Sequence, residues 1–186
     1  LRANEDVVLE RAELIGSFDP IFVKKVFCNG YQCWTTSREY SLAEQQEPIR
    51  GLLKGAAKHY GDYTFYDYPK EPGRLHGWTY TYIRRSEGVV ELIGSLNEQD
   101  GFTRFSFNAQ TQRINIHKDC MGGELAGVEE NDALHLFHTV GADTTAFSDY
   151  ATEMNYAEPF HQSTAKPAQG WTSWYHYFTK IDEEII

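Results

Sequence analysis

Trp78-Thr79-Tyr80-Thr81-Tyr82-Ile83-Arg84-Arg85-Ser86-Glu87-Gly88-Val89-Val90-Glu91-Leu92-Ile93 is the stretch that decides the fold class of this chain. Its first six positions alternate strictly, with Trp78, Tyr80 and Tyr82 on one face, the two-residue period of a strand. Ser86-Glu87-Gly88 supplies a turn and residues 89–93 return, so the stretch predicts an antiparallel hairpin. Outward from it the same pattern recurs. Residues 7–9 and 22–27 are short β-type runs separated by Gly16 and Pro20, and residues 103–107, 113–117 and 133–140 follow, bounded by Gly, Asn, Asp or Gln. Regular strand spacing with almost no helical pattern predicts an all-β antiparallel sandwich.

One internal helix is predicted from Pro48, a favourable first helical residue. Ile49, Leu52, Leu53, Ala56 and Tyr60 then fall on one helical face, although Gly51 and Gly55 each weaken it by roughly 1 kcal/mol relative to Ala. Residues 63–77, with Pro69, Pro72 and Gly73, read as a surface loop, and residues 156–169 as a linker along the outside. The sandwich is therefore expected over residues 1–165, with a linker and a second unit over 166–186. That unit runs Gly170-Trp171-Thr172-Ser173-Trp174-Tyr175-His176-Tyr177-Phe178, then Thr179 with Asp182 as a capping box and Glu183 and Glu184 in a first helical turn. It reads as a buried strand, an aromatic loop and a helix start, a βα unit cut at its first helical turns.

Composition narrows the function. The chain has 186 residues, 41% hydrophobic and 24% charged, as in globular domains, and 15% aromatic, which favours strands and sugar-stacking or interface sites. A formal net charge of −10 argues against nucleic acid or an anionic membrane as partner. No apolar run is long enough to span a bilayer, and residues 1–11 lack the form of a signal peptide. Three cysteines with no Cys-x-x-Cys predict no disulfide framework. With no Asn-x-Ser/Thr acceptor, these features point to the cytoplasm.

No metal or cofactor is expected. His135 and His138 are three apart, which on a strand sets them on opposite faces, and His117, Asp119 and Cys120 form a cluster without a second half. Phosphate loops and nucleophile elbows are absent from the sequence, and the pairs Glu129-Glu130 and Glu183-Glu184 lie in turn or helix-start contexts. The informative cluster is Phe27-Cys28-Asn29-Gly30-Tyr31-Gln32-Cys33-Trp34-Thr35-Thr36. Asn29-Gly30 is a tight-turn signal, and Tyr31, Gln32 and Trp34 suit stacking on a sugar ring and bonding its hydroxyls. The alternative is that Trp34 is a core anchor beneath a loop.

Asn29–Trp34, followed by Thr35-Thr36-Ser37-Arg38-Glu39, resembles the Asn-Gly-Tyr-Gln-Ser-Trp signature of bacterial melibiase-type α-galactosidases, with Cys33 where Ser is usual. Tyr60-Gly61-Asp62-Tyr63 and Leu75-His76-Gly77-Trp78-Thr79-Tyr80 resemble the same family's amino-terminal domain. Gly170–Phe178 is similar to its Gly-Trp-Cys-Ser-Trp-Tyr-x-Tyr-Phe segment, with Thr172 replacing Cys. The resemblance implies an amino-terminal β-supersandwich, a central (β/α)8 barrel whose first strand begins at Gly170, and a carboxy-terminal β-domain. Barrel active sites lie at the carboxyl ends of the strands. Trp174 and Tyr175 are then expected to face the sugar pocket, with Trp34 reaching over from the sandwich as substrate-binding residues.

By the same resemblance the reaction is retaining hydrolysis of α-galactosides such as melibiose or raffinose, through an Asp nucleophile and an Asp acid/base about 5–5.5 Å apart. Both come from later barrel strands. Seventeen residues from Gly170 onward set against a barrel of about 250 leave no catalytic residue here, so the chain alone is expected to be inactive. Galactosidase, N-acetylgalactosaminidase and transferase specificities stay open. A competing class is a stand-alone carbohydrate-binding sandwich with Trp34, Trp78 and Tyr80 as a stacking platform, and a third is a purely structural domain. The aromatic tail predicts a large apolar patch that is disordered, folded back or buried against another copy, and a homo-oligomer is the expectation.

Overall fold

A computed structural model describes residues 2, 4–32, 35–47, 61–125, 132–157, 180 and 182–184. The elements in chain order are β1 (Val7–Ser17), β2 (Lys25–Cys28), β3 (Arg38–Tyr40), β4 (Arg74–Trp78), β5 (Tyr80–Ser86), β6 (Val89–Ser95), β7 (Phe102–Asn108), β8 (Arg113–Leu125), β9 (Leu136–Ala142) and α1 (Asp143–Ala157). They form a four-stranded sheet ordered β1-β8-β7-β4 and a five-stranded sheet ordered β3-β2-β5-β6-β9, with antiparallel pairing throughout. The all-β sandwich expectation holds at this level. The helix expected from Pro48, the linker from 158 onward and most of the βα unit lie outside the described residues. In that last region Asp182 accepts a hydrogen bond from the Glu184 backbone N–H through Oδ1 at 3.1 Å, within a turn.

Alternation along the strands builds the core between the sheets. Val26, Cys28 and Ile83 from the five-stranded sheet meet Leu75, Phe105, Phe107, Ile114 and Ile116 from the four-stranded one. Phe18 closes one end, its ring edge-on to Phe107 at 5.8 Å. Each such side chain, fully buried, contributes roughly 1.5–3 kcal/mol of transfer free energy. Cys28 and Cys120 are buried, and burial pushes the Cys28 thiol well above the ordinary range, so it stays protonated.

A second apolar layer covers the far face of the five-stranded sheet, and it required a helix the sequence pattern did not reveal. Val90, Leu92 and Leu96 pack against Ala146 and Tyr150 of α1, with Tyr80, Tyr82, Phe137 and Phe147 around them. The Tyr150 hydroxyl donates to the Ser95 carbonyl at 2.7 Å. Gly94 makes this approach possible, because a Cβ there would sit 2.4 Å from the Tyr150 ring. The helix begins at Asp143, whose carboxylate suits the positive end of the helix dipole and pairs with Arg84 at 3.0 Å. Arg84 also holds Glu39 at 2.6 Å and so ties β5, β3 and α1 together. Tyr156 and Ala157, read from sequence as linker, belong to this helix.

The strict alternation from Trp78 to Ile83 is not one strand. Trp78 ends β4 in the four-stranded sheet and Tyr80 opens β5 in the five-stranded sheet, with Thr79 between them at φ +66°. A β-branched residue rarely takes this conformation. Its backbone is held from both sides, since Thr79 N donates to the Thr103 carbonyl and Ser95 N donates to the Thr79 carbonyl, both at 2.8 Å. Trp78 therefore faces away from Tyr80 and Tyr82, and the chain changes sheets at this point. The hairpin itself, β5 through Glu87-Gly88 into β6, is as expected.

Candidate functional site

Among the described residues, three of the segments that carry the family resemblance, 29–32, 61–63 and 75–80, meet at the end of the sandwich where β4 finishes. Residues 63–77, read as a surface loop, instead run from a short 3-10 turn (Asp62–Thr64) into strand β4 (Arg74–Trp78), four of whose five residues are buried. Asp62 is 1% exposed and accepts three hydrogen bonds. Its Oδ2 takes Trp78 Nε1–H at 2.8 Å and contacts His76 Nε2 at 2.7 Å, and its Oδ1 takes the Tyr68 hydroxyl at 2.8 Å. Burial alone would raise the Asp62 pKa, but the hydrogen bonds from His76, Trp78 and Tyr68 outweigh it and hold the carboxyl below the usual range. The network fixes the indole of Trp78, itself only 6% exposed.

Around that anchor the Asn29–Gln32 loop is clamped by its own sequence. Asn29 Nδ2 donates to the Trp78 carbonyl at 2.9 Å, and Trp78 N donates back to the Asn29 carbonyl at 3.0 Å. Gly30 N donates to Ser37 Oγ at 2.9 Å. Thr35 closes the turn, accepting from Gln32 N through Oγ1 at 3.0 Å while donating to the Gln32 carbonyl at 2.8 Å. Gly77 lets the loop lie on β4, because a Cβ there would fall 2.8 Å from Asn29 N. Gln46 seals the edge of β4, exchanging hydrogen bonds with the backbone of His76 at 2.7 and 2.9 Å. The result is a rigid ledge that presents Tyr31, whose ring stands edge-on to Trp78 at 5.1 Å, Phe65 at 5.3 Å and Phe102 at 5.7 Å. Phe65 and Phe102 are exposed.

Such a ledge can orient aromatic rings against a ligand or another surface. Asp62 is committed to its three donors and is not free to act as nucleophile or proton donor. The expected substrate-binding residues Trp34, Trp174 and Tyr175 lie outside the described residues, and so does Cys33. The alternative stacking platform loses two of its three rings: Trp78 is buried, and Tyr80 lies beneath α1, edge-on to Phe147 at 5.9 Å. Two of the histidines weighed as ligands pair with carboxylates. His138 Nε2 pairs with Glu91 at 3.0 Å and His117 Nδ1 with Glu13 at 3.1 Å, and among the described residues no three His, Cys, Asp or Glu gather as a metal site. Sequence reasoning missed the Asp62–His76–Trp78–Tyr68 network. The signal was the Leu75-His76-Gly77-Trp78 alternation, hidden behind Pro69 and Pro72.

The sequence matches no family profile and no curated protein. The fold, however, is shared with a solved α-galactosidase. It superposes on TtGalA, the α-galactosidase of Thermus thermophilus in complex with stachyose, with a TM-score of 0.56 and 19% identity over 97% of this chain. The complex of the same enzyme with p-nitrophenyl α-D-galactopyranoside gives 0.55 and 19% over 99%. This chain spans about a third of each of those chains, 33% and 32%. The likeness defines a β-sandwich fold of the kind found within an α-galactosidase. Among the described residues no helix is long and apolar enough to cross a membrane.

Proposed function

We propose that this chain is the amino-terminal β-supersandwich of a retaining α-galactosidase of the melibiase type, joined to the first strand and helix start of its (β/α)8 barrel. The observation that carries the reading is the meeting of three separate motif segments, Asn29–Gln32, Gly61–Tyr63 and Leu75–Tyr80, around the buried Asp62–Trp78 bond. The shared fold with an α-galactosidase supports it. A loop held this firmly is suited to carry Trp34 at a fixed position over a neighbouring pocket, which Trp174 and Tyr175 would line from the barrel side. Preorganised rings lower the ordering cost of sugar binding. The catalytic carboxylates would come from later barrel strands, so the 186-residue chain alone binds no α-galactoside tightly and hydrolyses none. The same reading carries a cytoplasmic location and association between copies through the aromatic tail.

The test joins this sequence to its natural continuation through a complete barrel and assays an aryl α-galactoside. Hydrolysis with retention, lost when Trp34 is replaced by Ala without loss of folding, supports the reading. A folded, full-length protein without α-glycosidase activity sinks the substrate assignment. Tight galactose or raffinose binding by the 186-residue chain alone would instead favour a self-contained binding module.

A further inference from the structure

The outer face of the four-stranded sheet holds a cavity of about 450 Å³, lined among others by Arg74, Arg104, Arg113, Ser106, Asn115 and Tyr66. This volume lies in the range of small-molecule sites, about 300–1,000 Å³. Three arginines line it in a chain of net charge −10, and no Asp or Glu among the described residues does. None of the three makes an ion pair among the described residues. Glu13, on the same face, is hydrogen-bonded to His117 and lies within the field of Arg104 without pairing with it. Arg104 is held in place by ring contacts, its guanidinium 4.5 Å over the Tyr66 ring and 5.8 Å from that of Trp78.

Two lining atoms are closed off from solvent without a hydrogen-bond partner, Arg104 Nε and Asn115 Oδ1. Buried polar groups are ordinarily satisfied, so each of these atoms calls for an ordered water or a ligand group. The two make opposite demands. The Arg104 Nε–H needs an acceptor, and the Asn115 amide oxygen needs a donor. They sit one strand apart and two residues out of register, since Asn115 pairs with Ser106 on the strand that carries Arg104. A sugar hydroxyl can meet either demand, but only an oxyanion also answers the charge of the three arginines.

We propose that this cavity binds a monosaccharide-sized oxyanion that also carries hydroxyls, a sugar phosphate or a sugar acid, with Arg74, Arg104 and Arg113 on the charged group and Asn115 on a hydroxyl. The cavity adjoins the ledge, with Arg104 over Trp78 and Tyr66 against His76, but its arginines take no part in the ledge's hydrogen bonds and the proposal does not rest on the α-galactosidase reading. Galactose 6-phosphate, galacturonate, inorganic phosphate and galactose are titrated separately into the 186-residue chain and followed by calorimetry. The expected result is that at least one of the two sugar oxyanions binds at least about tenfold more tightly than phosphate or galactose. The stronger of the two identifies the charged group. Raising salt from about 20 to about 200 mM weakens this binding. Arg74→Ala and Arg113→Ala, both at exposed positions, each weaken it by about tenfold with an unchanged circular dichroism spectrum. Asn115→Asp, which sets a carboxylate against the ligand, abolishes it. The proposal is overturned if neither sugar oxyanion binds at millimolar concentration, if galactose or inorganic phosphate binds as tightly, or if the folded arginine variants bind like the parent.

Discussion

Asp62→Asn is the substitution that most directly tests how the ledge is held. It keeps the shape of the side chain and removes its charge. Three donors, from His76, Trp78 and Tyr68, reach the carboxylate at 2.7–2.8 Å in a site that is 1% exposed. Hydrogen bonds to an ionised acceptor contribute about 1.5–3 kcal/mol each, against about 0.5–1.5 for neutral pairs. Losing about 1 kcal/mol on each of three bonds gives a destabilisation of about 3 kcal/mol, softened where the Tyr68 hydroxyl turns to accept from the new amide. For a chain of this size that lowers Tm by roughly 6–12 °C. Asp62→Ala costs more, because it leaves three buried donors without any acceptor.

The pH dependence follows from the depressed Asp62 pKa. A carboxyl held below its unfolded value, about 3.9, contributes stability that is fully present above that value and is lost as the pH falls through the folded one. The parent should therefore lose this contribution on acidification below about pH 4, while Asp62→Asn has none to lose. Urea unfolding followed by tryptophan fluorescence at pH 7 and pH 3 measures both. A variant within about 0.5 kcal/mol of the parent at pH 7 would refute the reasoning, and so would an equal acid-induced loss in the two proteins.

The other predictions concern the helix and the surface. Gly94→Ala places a methyl group 2.4 Å from the Tyr150 ring and should cost about 1–3 kcal/mol, seen as a lower urea midpoint and loss of helical circular dichroism before the sheets unfold. Tyr150→Phe removes the bond to the Ser95 carbonyl and should cost about 1 kcal/mol, and an unchanged midpoint would mean that the hydroxyl finds no net gain there. Glu44 should titrate at about 2, since the Ser41 backbone N–H and then Arg38 bond its carboxylate. Carbon-detected NMR should show its midpoint moving up in Arg38→Ala while staying below that of an unpaired Glu.

Sequence alone determined the class of fold, because a two-residue period is a local property and survives without knowledge of partners. The β5–β6 hairpin was legible in this way, and so were the cores of β7 and β8. The motif segments were legible as text, but not their meeting. Asp62 and His76 are 14 residues apart with two prolines between them, and nothing local says that one carboxylate will collect three donors. Helix α1 was missed because its buried stripe is narrow, essentially Ala146 and Tyr150, among Thr, Ser, Asp and Asn residues that favour other states. The alternation from Trp78 to Ile83 misled for a related reason. Period two fixes the side on which each side chain stands only while the strand continues, and Thr79 turns the backbone through positive φ, so Trp78 joins one sheet and Tyr80 the other. That choice is made by the carbonyl of Thr103 and the N–H of Ser95, which only the folded chain brings to the same residue.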